Sequence, residues 1–313
     1  METSTEAAVE RKISLDQIGQ GLYACTAEGD PNSGVIVGDD CVMVVDAQPT
    51  PAAANDLIAR VAKVTDKPVK YVLLTHFHAV RVLGAPAYKD AEILASDTTR
   101  GLIAERGKQD IESEIGRFPR LFGTMETTPG LVWPTVTLSD QMSVWLGRRE
   151  VRILHIGRGH TAGDVIATVP DAGAVFAGDL VEYMSACYCG DAHFTDWPAT
   201  LDQLAEFEAS ALVPGRGAAL TTPAMVAEAI ALTRDFIATL YGSVSESVAK
   251  GRSLKDAFDF ARLAMDPAFK TFANYEHCLP FNVSRAFDEA RGIEWPVIWT
   301  AERDREIWAA LQG

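Results

Sequence analysis

Apolar residues fall into short runs from Gly21 onward. Leu22–Thr26, 34–37 and 41–45 have strand length, and Gly38-Asp39-Asp40 punctuates the last two as a tight turn. Ala53, Leu57, Ile58 and Val61 recur at helical spacing and predict a helix over about 51–64. A strand over 69–74, a loop over 75–84 and a strand over 92–95 follow, and Ser96 caps a helix running to about 115. Residues 116–135 read as an irregular segment rich in Pro, Gly and aromatics, the kind of long connection that often serves as a functional loop or lid. Strand-length runs return at 136–138, 142–146, 151–156, 164–169 and 174–177. A helical pattern resumes near Ala199, and 212–215 reads as a last strand and its turn. Beyond Thr222 the pattern is helical, at about 223–249, 254–265, 283–291 and 303–312. The organisation expected is a loose polar lead-in over 1–20, a mixed α/β domain over 21–222 and a helical extension over 223–313. Two helix-covered sheets and one doubly wound sheet both fit this order.

Composition narrows the function more than the fold. The 313 residues are 48% hydrophobic and 23% charged, the balance of an ordinary globular protein. Acidic residues outnumber basic ones 43 to 28, a formal charge of -15. Such a surface repels phosphate backbones and anionic lipid, so neither nucleic acid nor a membrane surface is an expected partner. The longest apolar runs fall well short of a bilayer span, and residues 1–12 carry no signal-peptide core. Five cysteines, an odd and sparse number, fit a reducing compartment, and a cytoplasmic location is expected.

The chemistry concentrates where strands end. His76 and His78 follow the 69–74 run, and side chains two apart on an extended backbone point the same way. His160 follows another strand between glycines, and Asp179 ends the run Phe176-Ala177-Gly178. Each alone fits an incidental, turn or cap role. Together, three imidazoles and a carboxylate at strand ends form a candidate zinc site with a position open to water.

These residues stand in segments that resemble the metallo-β-lactamase superfamily: Val44-Val45-Asp46, Thr75-His76-Phe77-His78, Gly159-His160-Thr161, Phe176-Ala177-Gly178-Asp179 and Leu212-Val213-Pro214-Gly215. The order and spacing match over roughly 20–220. The resemblance implies an αββα four-layer sandwich with the metal site at one edge, His76, His78 and His160 holding a first metal, and Asp46 supporting the loops through hydrogen bonds.

The departures are as informative. The family's His-x-His-x-Asp-His reads His76-Phe77-His78-Ala79-Val80-Arg81, and its closing Gly-His-Gly reads Gly215-Arg216-Gly217. The positions that with Asp179 hold a second metal in the family are thus Val80, Arg81 and Arg216. Valine has no lone pair to offer and arginine does not deprotonate, so a single metal is expected. Arg81 or Arg216 would pair with Asp179 and supply the missing positive charge, or fork a substrate carboxylate, sulfate or phosphate. The carboxylate absent at position 80 normally accepts the water's proton, leaving Asp179 as the nearest candidate if no arginine holds it.

The expected activity is therefore a mononuclear zinc hydrolase cleaving an ester, thioester, lactone or amide of a small organic acid, with Asp179, Arg81 and Arg216 in catalytic roles. Two other readings stay open: a mononuclear iron oxygenase on the same fold, and a metal-free binding or sensor protein for an anionic small molecule. Cys187 and Cys189 would wall the pocket or bind soft metal, and His193 lies close after them. His277 and Asn282 would reach the site from a cap or pack on the sandwich. Phe118, Phe122 and Trp133 would line an apolar pocket or sit in the core. His155 reads as a core residue and Asp164 as a structural one. The helical tail supplies a substrate cap or a homodimer contact.

Overall fold

Seven strands pair into one sheet and five into a second in the computed structural model, which describes residues 12–27, 29–123 and 125–312. In the first sheet β1 (Ser14–Gly19), β2 (Leu22–Thr26), β3 (Ser33–Val37) and β4 (Val42–Val45) run as an antiparallel meander. Helix α1 (Pro51–Val61) then crosses to β5 (Val69–Leu73), which pairs parallel with β4. The short α2 (Ala79–Val82) leads to β6 (Glu92–Ser96), and α3 (Asp97–Arg117) and α4 (Pro119–Phe122) lead to β7 (Val136–Leu138). The second sheet holds β8 (Gln141–Leu146), β9 (Arg149–Leu154), β10 (Ile166–Val169), β11 (Ala174–Gly178) and, across α5 (Trp197–Ala205), β12 (Ala211–Pro214). Helices α6 (Pro223–Ala249), α7 (Leu254–Phe269), α8 (Tyr275–Ala290) and α9 (Ala301–Gln312) complete the chain.

Strand alternation decides between the two architectures that the pattern allowed. Ile36, Met43, Val45 and Leu73 point from the first sheet onto Val151, Ile153, Val169, Phe176 and Val213 of the second. Their neighbours Val35, Val42, Val44 and Val72 point outward onto Ala54, Leu57 and Val61 of α1. Val175 and Leu212 point outward onto α5 and the helices after residue 220. Two sheets face each other with helices on both outer faces, an αββα sandwich with a helical C-terminal region.

Four expectations change. The loop read over 75–84 carries α2, and the segment read as irregular over 116–135 holds the end of α3 and all of α4. Ser14–Gly19, read as part of a loose lead-in, is the edge strand β1 paired to β2. Its half-polar sequence carries no strand pattern, because an edge strand is held by its backbone ladder and buries little. The first 11 residues of that lead-in lie outside the described residues. Helix α8 starts at Tyr275 instead of 283 and carries Pro280 inside it. Burial of Cys278, Leu279, Phe281 and Val283 keeps the turn helical despite the missing N–H. Among the described residues no helix is long and apolar enough to cross a membrane.

The loops after β4, β5, β11 and β12 and the β9–β10 connection meet at one edge of the sandwich. They carry Asp46, His76 with His78, Asp179, Arg216 and His160, all buried.

Candidate metal centre

Among the described residues, His76, His78 and His160 form a group whose ligand atoms lie within 4.8 Å of one another. Their ring centroids are 4.6–4.8 Å apart and the rings stand at 77–84° to each other, three edges turned about one point.

The chain fixes which nitrogen faces that point. Asp46 accepts hydrogen bonds from Thr75 N at 2.9 Å and Thr75 Oγ1 at 3.0 Å. With its proton given to Asp46, the Thr75 hydroxyl accepts from His76 Nδ1, 3.0 Å away. That leaves the lone pair of His76 on Nε2, which is buried and has no hydrogen-bond partner among the described residues. Burial raises Asp46 to about 6, so its carboxylate is still ionised at neutral pH. His78 is held from the other side, Nε2 donating to Asp191 Oδ2 at 3.1 Å, so its Nδ1 turns inward to within 3.0 Å of His160 Nε2. Burial holds His160 down to about 3 and His76 well below the ordinary imidazole value, and both stay neutral. For His78 burial pulls the same way, but the Asp191 hydrogen bond and the nearby carboxylates outweigh it and raise it to about 9. An orphaned inward nitrogen and two more facing it fit a divalent metal ion.

Asp191 is a residue that pattern reading missed. Arg106 donates to its other oxygen at 2.9 Å, and although burial works against it, these contacts hold the carboxyl down to about 2. Arg106 belongs to a buried polar stripe on α3. Asp110 Oδ2 accepts from Ala79 N at 2.8 Å and Glu114 Oε2 from Val80 N at 2.9 Å, pinning the turn that follows His78. The spacing 106, 110, 114 was the available signal, one helix face made of charges, which in sequence reads as a solvated face.

Asp179 Oδ2 lies 3.8 Å from His76 Nε2 and 3.6 Å from His160 Nε2. Both arginines reach it. Arg81 Nη2 donates to Asp179 Oδ1 and, at 2.8 Å, to Gly215 O, while Nη1 donates to Asn32 O at 2.7 Å. Arg216 Nη1 donates to Asp179 Oδ2 at 3.1 Å and to Glu182 Oε1 at 2.9 Å. Burial favours the neutral acid, yet the two guanidinium groups and the histidines hold Asp179 well below the usual carboxylate range. The expected ion pair is therefore made twice, and these contacts are not left over for a substrate. Close approach depends on Gly215, where a Cβ would overlap Asp179 Oδ1 and lie 2.9 Å from its Cα. Gly178, at φ 54°, supplies the left-handed turn that swings Asp179 inward.

The remaining candidates sort by contact. Asp164 accepts from Thr161 N at 2.8 Å and Thr161 Oγ1 at 2.6 Å, bracing the His160 loop, and its backbone oxygen meets His155 Nδ1 at 2.7 Å. Cys187 and Cys189 are buried and free, and burial raises both thiols, so neither is a thiolate. Asn282 holds that loop by accepting from Cys189 N and donating to Cys187 O, both at 2.7 Å, and does not reach the histidines. His277 packs on Phe118 and Phe281 at 4.0 and 5.7 Å. Phe122 is core, Trp133 is exposed with Arg100 over its ring, and His193 is buried against Trp295. The rings that do touch the histidines are Phe77, 4.5 Å from His78, Trp197, 6.0 Å from His160, and Tyr188, 5.4 Å from His78 and 6.3 Å from His160.

The family model of the metallo-beta-lactamase superfamily matches residues 26–216, more than half of the chain. The chain belongs to that superfamily. Among curated relatives, a linear primary-alkylsulfatase of Pseudomonas sp. (strain ATCC 19151) is 22% identical over 254 residues, 69% of this chain and 47% of the sulfatase. The chain thus spans about half the length of that relative. A metallo-beta-lactamase type 2 of Bacillus sp. (strain 170) is 25% identical over 217 residues, 66% of this chain and 76% of its own length. In fold the chain is similar to a metallo-beta-lactamase from Pontibacter korlensis, with a TM-score of 0.58 at 18% identity over 72% of this chain and 99% of that one. The histidine group lies within the span that the superfamily model matches.

Proposed function

We propose that this superfamily member is a hydrolase working with one zinc ion on an ester, thioester, lactone or amide of a small organic acid. The observation that carries the reading is the filling of the neighbouring cation position. Where the family resemblance places a second metal, Arg81 and Arg216 both pair with Asp179, while His76 Nε2 has no hydrogen-bond partner among the described residues and His78 Nδ1 and His160 Nε2 meet only each other, 3.0 Å apart, beside it. Zinc bound there would lower the pKa of water to about 7 and polarise a carbonyl.

The chain's own groups do the rest. Asp179, held ionised by two guanidinium groups, accepts a hydrogen bond from water and orients it. With both arginines on it, it is a poor resting place for the proton, a role expected of it only if no arginine held it. Asp46 through Thr75, and Asp191 directly, keep two imidazoles in the tautomers that bind metal. Tyr188 offers an aromatic wall beside the reacting position.

Metal content per chain, measured by plasma mass spectrometry beside a His76→Ala control, tests this. About one zinc per chain, lost in the control, supports the reading. Iron in its place redirects it to oxygen chemistry, and a protein that takes up no metal sinks it. Likeness to a protein named for alkyl sulfate adds sulfate esters to the ester and lactone screen.

A further inference from the structure

At the C-terminal end of α3 the guanidinium of Arg117 is buried, its side chain 5% exposed, and none of its nitrogens has a hydrogen-bond partner among the described residues. A guanidinium keeps its charge and presents five donors, so burying all of them unpaired calls for an acceptor. Its ion-pair partner is Asp304 on α9, whose Oδ2 lies 3.8 Å from Arg117 Nε and takes a hydrogen bond from Ser113 Oγ at 2.7 Å. Asp304 Oδ1 is itself buried and unpaired among the described residues. Aromatic faces flank the guanidinium, with Cζ 4.8 Å from the Tyr188 centroid and 4.7 Å from that of Phe281. Tyr188 Oη and His277 Nε2 are also buried without partners among the described residues. Tyr188 thus contacts both Arg117 and His78 of the histidine group.

We propose that Arg117 anchors a carboxylate carried by the substrate, with the reacting bond on the histidine side of Tyr188. Asp304 is the internal carboxylate that occupies this place until the ligand arrives. The proposal rests on the hydrolase reading for the ligand's role as substrate, and not for binding itself. A planar fork of donors matches a carboxylate, and the aromatic faces suit an acid with an aryl or apolar body. Arg81, Arg216 and Arg106 are committed to Asp179 and Asp191. Two carboxylates side by side on one guanidinium repel, so the ligand takes the place of Asp304. Asp304 stands on the last helix, which packs mainly on α3, α7 and α8.

The test is an equilibrium titration of the full-length, zinc-loaded protein with phenylacetate, and with phenylacetamide as its uncharged counterpart, read by saturation-transfer NMR. The expected result is a preference of about tenfold for the acid. Arg117→Met abolishes that preference, Arg117→Lys weakens phenylacetate binding, and Asp304→Asn strengthens it. Zinc content and circular dichroism establish that each variant is folded, and if Arg117→Met does not fold, Arg117→Lys and Asp304→Asn carry the test. Equal binding of acid and amide by the wild type overturns the proposal. So does unchanged phenylacetate affinity in Arg117→Lys and Asp304→Asn together. Failure of the hydrolase reading looks different, because no ester would turn over while Arg117-dependent binding of phenylacetate persisted.

Discussion

Asp191 Oδ2 stands 3.1 Å from Nε2 of His78, across 113 positions of chain. Arg106 holds the other oxygen at 2.9 Å, so the carboxylate cannot swing away and the imidazole cannot turn over. One contact thus decides which nitrogen of His78 faces the centre.

Replacing that carboxylate should therefore loosen the metal without unfolding the protein. Asp191→Asn is expected to lower zinc affinity about 10–100-fold, the usual effect of losing a ligand's hydrogen-bond partner. Competition with a chelator measures it. Unchanged affinity would mean that packing alone orients His78.

The same pair sets a pH dependence in the metal-free protein. His78, raised to about 9 from 6.5, contributes stability that is full below pH 6.5 and is lost as pH rises through 9. His160, lowered to about 3, and His76, lowered well below the ordinary value, act oppositely, contributing above pH 6.5 and losing it as pH falls. The melting temperature of chelator-treated protein should fall as pH rises from 6.5 through 9, a range in which Asp164 and Glu182, raised by burial to about 7 and 8, also lose their contribution, and Asp191→Asn should reduce that fall. Because metal must displace the His78 proton, zinc affinity should rise with pH up to about 9. A melting temperature flat from pH 6.5 to 9 would contradict the assignment.

Arg81 is fully buried and its charge is matched by Asp179 and backbone oxygens. Arg81→Met leaves a buried carboxylate short of a partner, and a loss of about 3–5 kcal/mol is expected from denaturant unfolding. A loss below about 1 kcal/mol would show that Arg216 alone suffices to hold Asp179.

Gly215→Ala pushes a methyl group against Asp179 and should cost about 1–3 kcal/mol, together with weakened metal binding. Gly116→Ala is the matched control. It lies inside α3 with nothing within 4 Å of the added Cβ, and is expected to be neutral or to stabilise by up to about 1 kcal/mol. Equal effects at the two positions would remove the steric argument.

Much of this was legible in the chain itself. Alternation and apolar runs located nearly every strand, because the period of side chains along a strand is a local property. The histidines and Asp179 could be read because they stand at strand ends in a recognisable order, and the substitutions at 80, 81 and 216 announced an altered neighbouring site. β1 escaped because edge pairing leaves no apolar period, and the start of α8 escaped because Pro280 is a local signal that packing overrides.

What the sequence alone determined, then, is the sandwich and the set of side chains offered at its edge. Tertiary structure decided how those side chains are used. It gave Asp191 to His78, turned the charged face of α3 inward, spent both Arg81 and Arg216 on Asp179, and left Arg117 without a hydrogen-bond acceptor among the described residues. The reason is physical: periodicity reports which face of an element is apolar, whereas a buried charge finds its partner through space, across distances in sequence that no local pattern encodes.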